Sequence, residues 1–314
     1  MNPPHSPRPR GWTARLIGTL ATLGLLVYLL LRHWSEIGEA LSKLGAGPAL
    51  LGLGILSLSR LAVAGRWYVL LHGAEARVTP RQSLRLTYAG LFASNFLPTT
   101  IGGDVVRLAG GFALGIDRAV CAASLVVDRL VGVAGMTVAL PFGLQALWSG
   151  AGALTGLKDA PLAAAVTVGW WTRARERVSA VGRRLLSALA LWLWRPRSLA
   201  AALGLTWFHM LLLFGTLWML LRAMGEPIPF IRLAGLWSLV YFVTLLPFSL
   251  NGLGLQELSL TFVLTNLGGV SMQAALALAL VVRTLFMLAS LPGALFLPGL
   301  LPGGHDESAG SEAG

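Results

Sequence analysis

Eight ionisable residues lie in or beside long apolar runs of this 314-residue sequence, where charged side chains are rare. They are Arg60, Arg66, Asp104, Arg107, Asp128, Arg129, Glu257 and Arg283. A charge among apolar side chains must pair with an opposite charge, face a watery cavity or contact a charged ligand. Because the arginines of this set outnumber its carboxylates, the set favours an anionic ligand.

Arginine also suits a particular anion, because its planar guanidinium binds phosphate through two parallel hydrogen bonds and stays charged. Asp104 and Arg107 are three residues apart and share one face if a helix resumes after Gly103. The first N–H groups of that helix would point at the break before it, which also favours an anion. These features predict a phosphate-bearing group as ligand, with purely structural ion pairs as the alternative.

Two short Pro/Gly segments interrupt the apolar pattern, and their similarity indicates a weak internal repeat. A glycine stands five residues after Pro98 and again after Pro247, and a carboxylate lies close to each segment. Proline and glycine break helices and free backbone polar groups. In hydrocarbon such groups are tolerated only where protein or a watery cavity satisfies them, and paired interrupted segments usually mark a transporter's substrate site. Two ordinary loops at membrane surfaces are the alternative.

The amino-acid composition indicates the kind of fold that positions these segments. The chain is 55% hydrophobic and only 12% charged, with a mean hydropathy of +0.73, so a bilayer is the expected solvent for much of it. Long apolar runs span about 16–31, 48–72, 119–147, 198–221, 231–247 and 274–301. Shorter or weaker runs lie at 86–97, 150–171 and 258–267, and an amphipathic connector at 32–47. We predict an all-α, polytopic integral membrane protein of seven or eight helices, with two broken, re-entrant or loop-like elements.

The positive charge of the chain is distributed as in membrane proteins. The net charge is +11, and 22 of the 24 basic residues are arginines that cluster between the apolar runs. This distribution argues against nucleic acid as a partner and places the basic clusters around 8–15, 77–85 and 173–197 in the cytoplasm. We therefore predict a multi-pass protein of the bacterial inner membrane, with disordered tails at 1–15 and 302–314 around a membrane domain at 16–301.

Several common catalytic and metal-binding motifs are missing from the sequence. It has no Walker A loop, no HExxH, no CxxC pair and no GxSxG, its histidines are scattered, and Cys121 is its one cysteine. We therefore predict no cofactor, no metal site and no catalytic residue, and expect a transporter rather than an enzyme. We interpret His209, inside an apolar run, as a helix–helix hydrogen-bonding group, with a proton relay as the alternative.

The two interrupted segments resemble the two signatures of a known family. The first is the stretch 95–107, with Asp128-Arg129 beyond it, and the second is the stretch 246–257, which fits the pattern P-x-S-x-N-G-x-G-x-x-E. They resemble the flippase-like family, also called the lysylphosphatidylglycerol synthase transmembrane region, over about residues 15–300. Relatives more often have glutamate where this chain has Asp128, so the charge is kept.

The resemblance implies an integral inner-membrane protein that handles lipid. In the best-known relatives this region is joined to a cytoplasmic aminoacyl-transferase domain and moves aminoacylated phosphatidylglycerol between leaflets. No such domain follows Leu301 here, so we expect that this chain alone does not make lysyl-lipid. The expected partners are a membrane phospholipid or polyisoprenoid-linked lipid and, as an alternative role, a lipid-biosynthesis enzyme.

Charges, breaks and resemblance together predict a lipid flippase or lipid-handling permease for an anionic phospholipid or lipid-linked precursor. The predicted substrate-binding residues, around one shared wet cleft, are Arg66, Asn95, Asp104, Arg107, Asp128, Arg129, Asn251, Glu257 and Arg283. The predicted hinge residues are Pro98, Gly102, Gly103, Pro247, Gly252 and Gly254. The alternatives are a membrane-embedded transferase with Asp104 or Glu257 as general base, and a scaffold for a biosynthetic partner.

Overall fold

In the part of the chain that the structure describes, the regular secondary structure consists of helices. The structure is a computed structural model, and it describes residues 34–96, 102–149, 194–245 and 254–297, Trp192 and scattered positions between 20 and 32. Nine α-helices have both of their ends there: α1 Trp34–Leu44, α2 Ala46–Gly73, α3 Pro80–Phe96, α4 Gly102–Ala113, α5 Arg118–Ser149, α6 Pro196–Ala223, α7 Phe230–Thr244, α8 Leu255–Gly268 and α9 Met272–Ser290. A 3-10 helix, Leu291–Leu295, extends α9.

Four of these helices are long and apolar enough to cross a membrane. They are Ala46–Gly73, Arg118–Trp148, Pro196–Ala223 and Met272–Leu295. The chain is therefore an all-α polytopic membrane protein, as predicted, and these helices match the runs at 48–72, 119–147, 198–221 and 274–301. The predicted tails and the run at 150–171 lie outside the described residues, as does most of the run at 16–31.

Short capping patterns explain where several helices begin. Thr79 and Gln82 exchange hydrogen bonds at the start of α3, and Pro80 occupies its first position, where a missing N–H costs nothing. The Asp117 carboxylate accepts hydrogen bonds from two N–H groups in the first turn of α5. The Ser271 hydroxyl does the same for one N–H of α9. The spans α5 and α9 thus begin at a residue whose side chain satisfies their first backbone donors, whereas α2 and α6 have no such side-chain cap.

The long helices α2 and α6 pack antiparallel along their full length. Near one end a Cβ on Gly52 would contact the Thr216 side chain, and at the other Gly73 lies against Ser198. Helix α5 runs parallel to α6, with Gly135 against Thr206. Helix α2 therefore ends on the face of the bundle where α5 and α6 begin. We call it the basic face, because its helix ends carry Arg77, Arg81, Arg118, Arg195 and Arg197.

Two helical hairpins enter the bundle and leave it on the side from which they came. Helices α3 and α4 join the end of α2 to the start of α5, both on the basic face, and they meet at Gly90 and Gly103. Helices α7 and α8 join α6 to α9 on the opposite face, where Arg232 donates to the Leu267 carbonyl. At 12 to 17 residues each, none of the four matches the roughly 20 residues of a full span. The broken elements are therefore re-entrant, although the turns between their helices lie outside the described residues.

The described helices α2–α9 form an inverted repeat of two four-helix halves, α2–α5 and α6–α9. Helices α2 and α6 have 28 residues each and begin 150 positions apart, at 46 and 196. Two residues beyond them, Glu75 and Gly225 both have positive φ, and α3 and α7 follow at 80 and 230. Before α5 and α9, Gly115 and Gly269 again share a positive φ. Because α2 and α6 are antiparallel, the second half is upside down relative to the first, which strengthens the weak repeat seen in the sequence.

The two halves interlock through glycine contacts. A Cβ on Gly143 of α5 would overlap the backbone of Gly235 in α7, so the second hairpin packs closely on the first half. Gly293, beyond α9, lies equally close to the Tyr88 carbonyl of α3. At the centre, Ser59 and His209, each the fourteenth residue of its helix, share a hydrogen bond. His209 thus has the helix–helix role that the sequence predicted.

Candidate functional site

A cavity of about 260 Å³ lies between the first hairpin and the helices α2, α5, α6 and α7. Its ionisable and polar lining comprises Arg60, Arg66, Thr87, Ser94, Asp104, Arg107, Asp128, Arg129, His209 and Tyr241. Four arginines and two aspartates leave a formal excess of two positive charges. In apolar surroundings such an excess attracts an anion more strongly than it would in water.

Asp128 of α5 is the buried centre of the charge network. Its side chain is almost fully enclosed, and its two carboxylate oxygens each receive a different arginine. Arg66 Nε of α2 donates to Oδ1 at 2.7 Å, and Arg107 Nη1 of α4 donates to Oδ2 at 3.2 Å. Arg66 also donates to the Thr206 hydroxyl at 3.3 Å. One carboxylate thus holds two arginines that come from different helices.

Asp104, in the first turn of α4, extends the network to the outside. Arg129 Nη2 donates to Asp104 Oδ2 at 2.7 Å, and Arg107 Nη1 lies 3.7 Å from Asp104 Oδ1. Arg107 therefore stands between both aspartates, three residues after one of them. This arrangement confirms that Asp104 and Arg107 share a helix face. It also shows that Asp128 and Arg129 each pair with residues of other helices.

Arg107 has hydrogen-bonding capacity left over. Its side chain is 9% exposed, and its guanidinium carbon lies 4.2 Å from the ring centroid of Trp67. The Trp67 indole is itself fixed by a 3.0 Å hydrogen bond to the Ser124 hydroxyl. Within the described part of the chain, Arg107 Nε and Nη2 are buried and have no hydrogen-bond partner. Buried cationic donors without partners are costly, so this side chain is suited to receive an anion.

The glycines of the first break have a packing role. A Cβ on Gly103 would overlap the Ser94 hydroxyl and come within 2.5 Å of the Gly90 carbonyl oxygen. Gly103 thus lets α3 and α4 pack closely, and a Cβ on Gly90 would come within 3.0 Å of the Arg107 side chain. Gly102 is the first residue of α4, and Gly254, with φ +74°, precedes α8 in a conformation that favours glycine.

Three predicted binding residues stand apart from the cavity lining. The Asn95 amide donates to the Phe286 carbonyl and the Ser290 hydroxyl, tying α3 to α9. Glu257 and Arg283 form their own pair, with Nε and Oε1 3.7 Å apart. These three residues therefore do not line the cavity described above, and as ligand contacts they stay predictions. Pro98, Pro247, Asn251 and Gly252 lie outside the described residues.

Some cavity residues were absent from the predicted site. Arg60, whose guanidinium lies 4.4 Å from the ring centroid of Phe286, was noted only as a charge in an apolar run. Tyr241 lines the cavity from the second half, and Trp67 supports Arg107 from α2. The sequence offered a weak signal for Trp67, since it adjoins Arg66. It offered none for Tyr241.

The fold and site define a class: a polytopic helical membrane protein with two re-entrant hairpins and an arginine-rich cavity. Residues 15–293 match the family described as the lysylphosphatidylglycerol synthase TM region. The chain belongs to this family, which confirms the resemblance seen in its sequence motifs. A comparison with curated proteins found no match. The membership indicates a membrane function related to lipid.

Proposed function

We propose that this protein moves an anionic phospholipid or a lipid-linked precursor between the leaflets of a bacterial inner membrane. The headgroup would enter the cavity while its chains stay in the bilayer. Three features support this proposal: the excess positive charge of the cavity, the first hairpin, which enters the bundle from the basic face, and the lipid-related family. By the positive-inside rule, the basic face lies in the cytoplasm.

The observation that carries the proposal is the state of Arg107. Its guanidinium is buried, fixed over Trp67 and bound through Nη1 to Asp128, while two of its nitrogens have no partner in the described structure. A phosphate oxygen can accept from these nitrogens, and a bidentate contact is worth more than a contact with a point charge. Arg66 and Arg129 would add charge on either side, with Asp128 holding the set in place.

Leaflet exchange in liposomes tests the proposal directly. Wild-type protein is reconstituted with fluorescent, chemically reducible phosphatidylglycerol, and the rate at which inner-leaflet label becomes reducible is measured. We expect faster exchange than in protein-free vesicles, and a fall of about tenfold or more in Arg107→Gln, which corresponds to about 1.4 kcal/mol of lost interaction. Arg118→Gln is the matched control, because Arg118 is an exposed arginine stacked on Phe112 at the start of α5.

Two further variants connect the assay to the predicted site. Asp104→Asn and Glu257→Gln keep side-chain size and remove one carboxylate charge each, and both should slow exchange. The proposal fails if no anionic or polyisoprenoid-linked lipid exchanges faster than in empty vesicles. Product formation from a lipid-linked sugar in detergent, where no leaflets exist, would instead favour the transferase.

A further inference from the structure

The two halves carry the same ion pair at the same helix positions. Asp104 is the third residue of α4 and Arg129 the twelfth of α5, while Glu257 is the third of α8 and Arg283 the twelfth of α9. In each half the pair joins the returning helix of the hairpin to the span that follows. Because the interaction is repeated at matched positions, we infer that it has the same role in the movement of both hairpins.

The other charged residues of the network occur in the first half only. In the second half, the positions that match Arg66, Arg107 and Asp128 hold Thr216, Leu260 and Val282. These three positions of the second half carry no charge. Anion recognition therefore belongs to one half, whereas the hairpin ion pair belongs to both.

The matched pairs differ in their surroundings. The Arg129 side chain is 60% exposed, whereas the Arg283 side chain is 14% exposed and that of Glu257 only 5%. The first pair is close at 2.7 Å and the second looser at 3.7 Å. Glu257 Oε2 and Arg283 Nη2 are also buried without a hydrogen-bond partner in the described part of the chain. The first pair is thus reachable from outside, while the second is enclosed and only partly satisfied.

We propose that the two pairs are latches of two gates that open in alternation. Asp104–Arg129 controls the first hairpin, toward the basic face, and Glu257–Arg283 controls the second, toward the opposite face. In an inverted repeat, an exchange of conformation between the halves also exchanges which side is accessible. Arg66, Arg107 and Asp128 hold the headgroup beside the first latch, and Arg107 itself lies on the first hairpin. The inference rests on the proposed function for its cargo, and on the repeat alone for its gates.

The test follows matched reporters in both hairpins. Cys121, the one cysteine of the chain, is first replaced by alanine. Cysteine is then placed singly at Leu108 or Thr261, each the seventh residue of its helix, and the labelling rate by a membrane-impermeant maleimide is measured in liposomes. In Arg283→Gln we expect labelling to rise at least tenfold at position 261 and to fall at position 108. In Arg129→Gln we expect labelling at 261 to fall.

Three results would overturn the alternating latches. Labelling that rises at 261 with no change at 108 would mean that the hairpins open independently, and unchanged labelling at both positions would mean that the pair controls no gate. The double variant Glu257→Arg with Arg283→Glu, which reverses the pair, must return both rates toward wild type. If it does not, local unfolding explains the labelling, and the proposal that the ion pairs act as latches is contradicted.

A second measurement needs no added cysteine, so it applies even if the cysteine variants fail to fold. Hydrogen exchange of α4 and α8, in Arg283→Gln without added cysteines, should show α8 less protected and α4 more protected, and equal change in both would contradict the proposal. Reciprocal opening without lipid exchange would support the gates and contradict the proposed lipid cargo. Lipid exchange without reciprocal opening would support the cargo and contradict the gates.

Discussion

At the scale of single residues, the site depends on how one buried carboxylate is shared. Asp128 balances Arg66 and Arg107, and Asp104 balances Arg129 while lying near Arg107. This leaves the network one positive charge in excess before Arg60 is counted. Charges within a membrane protein are costly unless they pair or serve a ligand. Most charges of the network are paired with an opposite charge. Two nitrogens of Arg107 have no partner in the described structure and are left for a ligand.

Asp128→Asn should therefore destabilise the protein strongly. The change leaves two buried arginines without their shared counter-charge, and removing one partner of a buried ion pair costs about 3–5 kcal/mol. The free energy of unfolding is measured in detergent against Asp117→Asn, a change at the residue that caps the same helix. Asparagine caps a helix about as well as aspartate, so this control should behave like wild type. Equal loss in both variants would contradict the central role of Asp128.

At the scale of helices and turns, small residues set the geometry that the charges need. Gly103 allows α3 and α4 to touch, and Gly143 and Gly235 allow the second hairpin to reach α5. The turns after α2 and α6 share one backbone pattern, in which the third residue past the helix donates back to Leu71 and Leu221. The hairpins are thus held by backbone contacts that sequence periodicity does not reveal.

Gly103→Ala should separate the first hairpin. The new methyl group would overlap Ser94 and approach the Gly90 carbonyl oxygen, and overpacking of this kind costs about 1–3 kcal/mol. We expect lower stability in detergent and slower lipid exchange. Gly54→Ala on α2 is the control, because nothing lies within 4 Å of its added methyl group. If both variants melt together, the close contact of α3 and α4 does not matter.

The matched turns predict opposite effects at equivalent positions. Gly225→Ala forces a side chain into a conformation with φ +83° and should cost about 1 kcal/mol, whereas Glu75→Gly relieves φ +61°. A hydrogen bond from Arg195 lowers the pKa of Glu75, so that contact contributes at neutral pH and is lost as pH falls through the lowered pKa. Unfolding of both variants is therefore compared at the acid end of the stable range. Greater loss in Glu75→Gly would contradict the shared turn.

At the scale of the whole molecule, long apolar runs located the four spans to within six residues at each end, because a bilayer demands long apolar helices. The same pattern placed the run at 231–247 among the long ones, whereas α7 has only 15 residues and belongs to a hairpin. The pairing of Arg66 with Asp128 could not be predicted, since these residues are 62 positions apart and meet only when α2 packs on α5. The inverted orientation was hidden for a similar reason, because small length differences around the breaks blur the repeat.

The central claim is that the arginine-rich cavity receives an anionic lipid headgroup. Native mass spectrometry of the purified protein, offered equal amounts of phosphatidylglycerol and phosphatidylcholine, measures this occupancy directly. Wild type and Arg118→Gln should both carry one preferentially bound phosphatidylglycerol, and Arg107→Gln should lose that preference. If Arg107→Gln retains the same bound lipid in the same amount, the cavity does not recognise the headgroup.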